Sequence, residues 1–183
     1  MSNFLGKPYI PDSEKERLEK LKSYYALDNF EQSGTFQHVA IMAARIFEVP
    51  MAFVNFVDEQ SILIKASVGY SGVSEVKREL GLCSLAILKD EVTVFENAKR
   101  EPSFLTNPLV HGEFGLEFYA GAALKTPDGF NIGVIGIADK KPREFSKSEE
   151  QLLAGLAACI IDELEERQTL LARLQNGTPG NPG

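Results

Sequence analysis

The sequence predicts an α+β domain built on an antiparallel sheet. Three observations carry that expectation. The run from Phe118 to Asp139, FYAGAALKTPDGFNIGVIGIAD, sets two apolar segments on either side of Thr126-Pro127-Asp128-Gly129. Proline pre-sets φ in such a turn and glycine accepts positive φ near its end, so the stretch reads as a hairpin. A second pair of β-rich segments, Met51–Val57 and Ile62–Val68, brackets Asp58-Glu59-Gln60. Helical patterns with one apolar face stand at both ends of the chain.

Met1 to Ile10 reads as a loose lead. Ser13 and Glu16 have the spacing of a capping box, and Leu18, Leu21 and Tyr25 recur at helical spacing among Glu and Lys. Leu27 to Ser33 is a polar break, with Ser33 the expected cap of a second helix. That helix covers roughly Gly34 to Phe47, with Phe36, Val39, Ala40, Ala43, Ile46 and Phe47 on its apolar face, and Pro50 stops it. After the first hairpin, Gly69 to Arg78 reads as loop. A short helix is expected at Ser84–Leu88 behind Cys83, and a strand at Glu91–Phe95. Pro102 and Pro108 break the next stretch, where one-turn helices are expected at Pro102–Leu105 and Glu113–Leu116. Its apolar residues must fold back on something, and one face of the sheet is the natural partner.

Gly133 and Gly136 interrupt the last apolar segment. A strand glycine marks a bulge or a close approach, either a helix packed tightly on the sheet or a ligand lying on it. Ser146 and Glu149 form a second capping box and open the longest helix. Leu153, Ile160, Arg167 and Leu174 make one heptad seam, and Ala157, Leu164 and Leu171 a second. The expected divisions are a lead and helix over 1–27, a domain over 28–166, and a helix end with a disordered tail over 167–183.

Composition bounds the role. Apolar residues make up 44% of the chain and charged residues 25%, with a net charge of −7. That is the balance of a globular protein, and the lack of a basic stripe argues against nucleic acid as a partner. No apolar run approaches the roughly 20 residues that span a bilayer, and no signal peptide is visible. Cys83 and Cys159 are far apart and form no disulfide framework, so a cytoplasmic location is expected.

Chemistry-bearing residues are few. Cys83 precedes a short helix, whose N-terminus would lower a thiol pKa; a buried inert thiol is the alternative. His38 and His111 have no Cys, Asp or Glu at metal-ligand spacing, and no metal site or catalytic residue is expected. Asp139 and Arg143 are expected to pair, or to cap the turn before the last helix. Phe104, Asn107, Phe118 and Tyr119 suit a small-molecule cleft, and equally an ordinary core beneath a long loop. His111 lies in the loop over that cleft.

Cys83 with Ala86-Ile87, Asn107-Pro108-Leu109-Val110, Phe118-Tyr119-Ala120-Gly121, Asp128-Gly129, Gly133, Asp139 and Pro142-Arg143 together resemble a GAF sensor domain. The similarity covers roughly Asp28 to Glu166 and is nearest the bacterial subgroup found beside diguanylate cyclases and histidine kinases. It implies a GAF-like (profilin-like) antiparallel sheet of about six strands, with terminal helices on one face and loops with short helices on the other. It implies a small-molecule ligand between sheet and loops, with Cys83, Phe104, Asn107, His111, Phe118 and Tyr119 as its expected contacts. Neither cysteine has the histidine neighbour of bilin-binding relatives, and the NKFDE signature of the cyclic-nucleotide subgroup is absent. No cofactor is named by the sequence. The expected role is a non-enzymatic sensor, homodimeric through its terminal helices, that signals to a partner protein because no output domain is seen. The alternatives are a thiol-dependent sulfoxide reductase using Cys83, and a purely structural dimerisation module.

Overall fold

The computed structural model describes residues 10–25 and 34–177. The expected loose lead before Ile10, the break and cap at Ser33, and the tail beyond Gly177 lie outside the described residues. Helices α1 (Glu14–Tyr25) and α2 (Thr35–Ile46) precede strands β1 (Met51–Val57), β2 (Ser61–Val68) and β3 (Glu75–Lys77). The one-turn helix α3 (Cys83–Ala86), strand β4 (Thr93–Phe95) and the one-turn helix α4 (Pro108–His111) follow. Strands β5 (Phe118–Lys125) and β6 (Asn131–Asp139) and the long helix α5 (Lys147–Asn176) complete the chain.

The sheet is antiparallel, in the order β3-β2-β1-β6-β5-β4. Both hairpins form. The Gly129 amide donates to Thr126 O at 2.9 Å, and Gly129 has φ +94°, as the turn chemistry requires. Strand β3 lies in the stretch expected to be loop. The one-turn helix expected at Glu113–Leu116 forms instead at Pro108–His111, where Pro108 supplies the first position and Asn107 Oδ1 accepts from the Leu109 amide at 2.9 Å.

Alternation sorts the sheet into two cores. Ala52, Val54, Phe56, Phe118, Ala120, Ala122, Leu124, Ile135 and Ile137 face α1, α2 and α5. Met51, Val57, Ile62, Tyr119, Val134 and Ala138 face the short helices and loops. Helix α5 lays Leu153, Ala157, Ile160 and Leu164 on the sheet. The first half of the heptad seam is therefore spent inside the domain, and only Leu171 and Leu174 at its end stay open. Ser146 and Glu149 cap the start of α5 reciprocally, as the sequence predicts. Arg143 pairs with Glu149 at 2.8 Å rather than with Asp139, and donates to Phe47 O at 3.0 Å.

Helix α1 corrects the reading of its charged face. Leu21 and Tyr24 enter the helix-side core, and the charged Arg17 is buried with them, 1% exposed. Arg17 donates to Val57 O at 2.7 Å and to Glu14 at 2.8 Å. Arg78, from the end of β3, is equally buried and reaches the same Glu14 carboxylate, and also donates to Asp58 O at 3.1 Å. One carboxylate thus serves two buried guanidinium groups. Helix α5 runs unbroken across the expected division at 166/167.

Burial pushes the Glu14 carboxyl up, but hydrogen bonds from Arg17 and Arg78 outweigh it and hold the group below the usual carboxylate value of 4.5. A lowered folded-state pKa gives stability that is full above 4.5 and lost as pH falls through the lowered value. Glu14→Ala is expected to cost about 3 kcal/mol, because it leaves two buried cations without their carboxylate. Urea unfolding at pH 7 checks the size, and the difference from the parent should shrink on acidification below 4.5.

Candidate functional site

Between the sheet and the loop face lies a cleft. Its volume is about 570 Å³ with the open mouth included. Met51, Phe53 and Asn55 of β1, Tyr119 of β5 and Ala138 of β6 form the floor. Ile62 and Ile64 of β2, with Tyr70 and Val76 beyond it, form one side. Gly81, Leu82 and Cys83 form another, and Leu109, Phe114 and Leu116 close the loop side.

Two glycines make the floor possible. Gly121 and Gly136 pair directly across β5 and β6, on the cleft face. A Cβ on Gly136 would fall 2.2 Å from Phe53 Cε2, and one on Gly121 would fall 2.4 Å from the Tyr119 hydroxyl. The space is thus filled by aromatic side chains of the sheet itself. This replaces both expected reasons, a close helix or a ligand, on this face. Gly133 has a third reason: a Cβ there would meet Asn55 O at 2.2 Å.

Polar chemistry in the cleft is confined to a small cluster at its floor. Asn55 Nδ2 and the Tyr119 hydroxyl each approach Cys83 Sγ at 3.4 Å. All three side chains are buried. Asn55 Oδ1 has no hydrogen-bond partner among the described residues. Burial pushes the Cys83 thiol up, against the smaller opposing effect of its Tyr119 and Asn55 contacts. Burial, then Cys83, push the Tyr119 phenol well above its usual value. The helix-start argument for an acidified Cys83 is therefore overturned, since α3 is one turn long and desolvation dominates.

The expected contact residues separate. Cys83 and Tyr119 line the cleft. Asn107 does not, but it braces the wall: its Nδ2 donates to Leu80 O at 3.0 Å while its Oδ1 caps the helix carrying Leu109. Phe104 packs behind the wall, edge-on to Phe95 at 4.8 Å. His111 is exposed and is no wall residue. Phe118 faces the opposite side of the sheet, because neighbours on a strand point to opposite faces, and its ring packs at a tilt against Phe145 at 5.6 Å. Asn55 was missed. Its signal is in the sequence, as the one polar residue in MAFVNFV. Tyr70 and Val76 carried no such signal, since both sit in a stretch read as loop, and Phe114 sits in an expected one-turn helix that does not form.

Solved structures with this architecture supply the comparison. The GAF domain of an Acinetobacter phosphoenolpyruvate-protein phosphotransferase superposes with a TM-score of 0.61 at 20% identity, covering 85% of this chain and 96% of that one. The fold is the GAF fold. The free methionine-R-sulfoxide reductase of Neisseria meningitidis, solved with its substrate, shares it with a TM-score of 0.63 at 16% identity, covering 91% of this chain and 99% of that one. In sequence, the chain is 30% identical over 139 residues to a cyclic di-GMP phosphodiesterase of Pseudomonas aeruginosa. The match takes in 76% of this chain and spans 23% of that protein's length. No family model matches. No helix among the described residues is long and apolar enough to cross a membrane.

Within this GAF fold the two thiols are separated by the sheet. Cys83 belongs to the cleft-side core, and Cys159 is exposed on α5, which packs on the other face. Iodoacetamide at pH 7.5 should modify Cys159 within minutes and leave Cys83 intact until denaturant is added. Peptide mass spectrometry checks the order, and equal labelling of both would contradict the buried thiol.

Proposed function

We propose that the domain is a non-enzymatic sensor, whose cleft encloses a small molecule and whose terminal helices report its presence to a partner protein. The observation that supports this best is the cleft itself, an apolar chamber with a polar cluster at its floor in the position between sheet and loops. Apolar walls with a few placed polar groups are what small-molecule sites use.

A physical route leads from the cleft to the helices. Ser84 follows Cys83, and its hydroxyl donates to Arg78 O at 2.5 Å. Arg78 grips Glu14 of α1, and Tyr24 of α1 donates to Glu165 of α5. A shift of the Gly81–Cys83 wall therefore acts on the segment that anchors α1, and α1 is tied in turn to α5. A ligand biases this assembly only by its differential affinity for two packings.

We assign the homodimer expected from the helices to the far half of α5. There Leu170, Leu171 and Leu174 are exposed, and a second copy's matching helix is the occupant that a self-complementary seam would select. A reductase reading is disfavoured, because Cys83 has no second thiol on its side of the sheet among the described residues.

Native mass spectrometry of freshly purified protein tests both parts. The expected spectrum is a dimer carrying a small-molecule adduct. Ala138→Leu, which fills the floor, should lose the adduct and keep the dimer, whereas Leu171→Glu with Leu174→Glu should do the reverse. An adduct-free spectrum in parent and variants alike would overturn the sensing role.

A further inference from the structure

The surface of the cleft restricts the class of molecule it can enclose, and the inference rests on the reading above that it encloses one. The described residues that line it include no Lys, Arg, His, Asp or Glu, and the surface they present is almost wholly apolar. Phe53, Ile64, Tyr70, Val76, Leu109 and Phe114 are each half-buried there, so apolar side chains face water inside a concave wall. Tyr70 and Phe114 meet edge-on, with ring centroids 5.3 Å apart, and join two sides of the chamber. An occupant that covers these side chains removes their surface from water, and the gain grows with the area covered.

The polar groups of the floor are closed to an occupant. Asn55 Nδ2 and the Tyr119 hydroxyl both approach Cys83 Sγ at 3.4 Å. Asn55, Cys83 and Tyr119 are 5%, 4% and 2% exposed, and Asn55 Oδ1 is shut off from solvent. The cluster therefore lies within the floor and is not aimed into the chamber. The nearby cations are turned elsewhere. Arg17 and Arg78 bind Glu14 and the backbone carbonyls of Val57 and Asp58. Lys140 stands over the Phe114 ring at 5.2 Å, exposed and no part of the wall. A hydroxyl brought into the chamber would lose its water and gain no partner, and a carboxylate or phosphate would lose more.

We infer that the cleft takes an uncharged, apolar molecule and selects it by fit and desolvation, with no hydrogen bond from the protein. Contact with the half-buried apolar side chains supplies the affinity. The cost of stripping water from any polar group supplies the discrimination.

Butylbenzene, phenylbutanol and phenylbutyrate share one skeleton and differ only at its end, so they isolate that cost. Methyl NMR titration reads each affinity at Ile62 and Ile64 of the cleft, with Ile137 and Ile160 of the helix-side core as controls. The expected result is that butylbenzene shifts Ile62 and Ile64 but not the controls. Phenylbutanol should bind about fivefold more weakly, and phenylbutyrate about tenfold more weakly again. An alcohol or carboxylate that binds as tightly as the hydrocarbon, or more tightly, overturns the apolar class and leaves the cleft as a binding site. Shifts that fall equally on Ile137 and Ile160, or no shift with any of the three probes, overturn the inference and the sensing cleft together.

Discussion

A sheet buried on both faces must give every strand residue to one core or the other, and in this protein that division organises the rest. Strands β1, β5 and β6 are apolar on both sides, so side-chain parity alone separates the helix-side core from the cleft. On the cleft side, close packing of the strands would leave no room for large aromatics. The facing pair Gly121 and Gly136 relieves this, and Phe53 and Tyr119 lie in the space released. The result is a floor of rings and one amide, with an unfilled volume above it. Protein interiors are otherwise close-packed, so such a volume is a feature to be explained.

The second organising element is electrostatic and lies at the sheet's rim. Glu14 holds two buried arginines that come from α1 and from the end of β3. Each arginine also caps backbone carbonyls of the β1–β2 turn region. A buried charge cluster of this kind tolerates little displacement, because any loss of a partner strands a desolvated charge. It joins the segment after β3, whose Arg78 carbonyl accepts from Ser84 beside the cleft, to the first helix. The two cores stay chemically separate but are mechanically joined at this edge.

Much of the architecture was legible in the sequence. The Thr126-Pro127-Asp128-Gly129 turn, the β1–β2 hairpin and the Ser146–Glu149 box each rest on local rules that tertiary context did not override. The errors have physical causes too. Arg17 sits in a helix of Glu and Lys, where charge ordinarily means solvent; Glu14 on the same helix and the Val57 carbonyl, 40 positions away, offset its burial, and no local pattern shows the second contact. Phe118 and Tyr119 were both expected in the cleft, although strand alternation forbids adjacent residues from sharing a face. The heptad seam of α5 was visible, but periodicity cannot say whether a sheet or another helix receives it. A third of the cleft wall (Tyr70, Gly81, Leu82, Phe114 and Leu116) comes from irregular segments, whose placement depends on long-range packing.

Ligand sensing by this domain depends on an open apolar chamber beneath Tyr70 and Phe114. A crystal structure of the untreated protein, at a resolution that defines single water molecules, tests it most directly. The expected result is density for a small molecule in contact with Phe53 and Tyr70, with Phe53 and Tyr119 lying over Gly136 and Gly121. A chamber closed by its own side chains, with no density between sheet and loops, would contradict it.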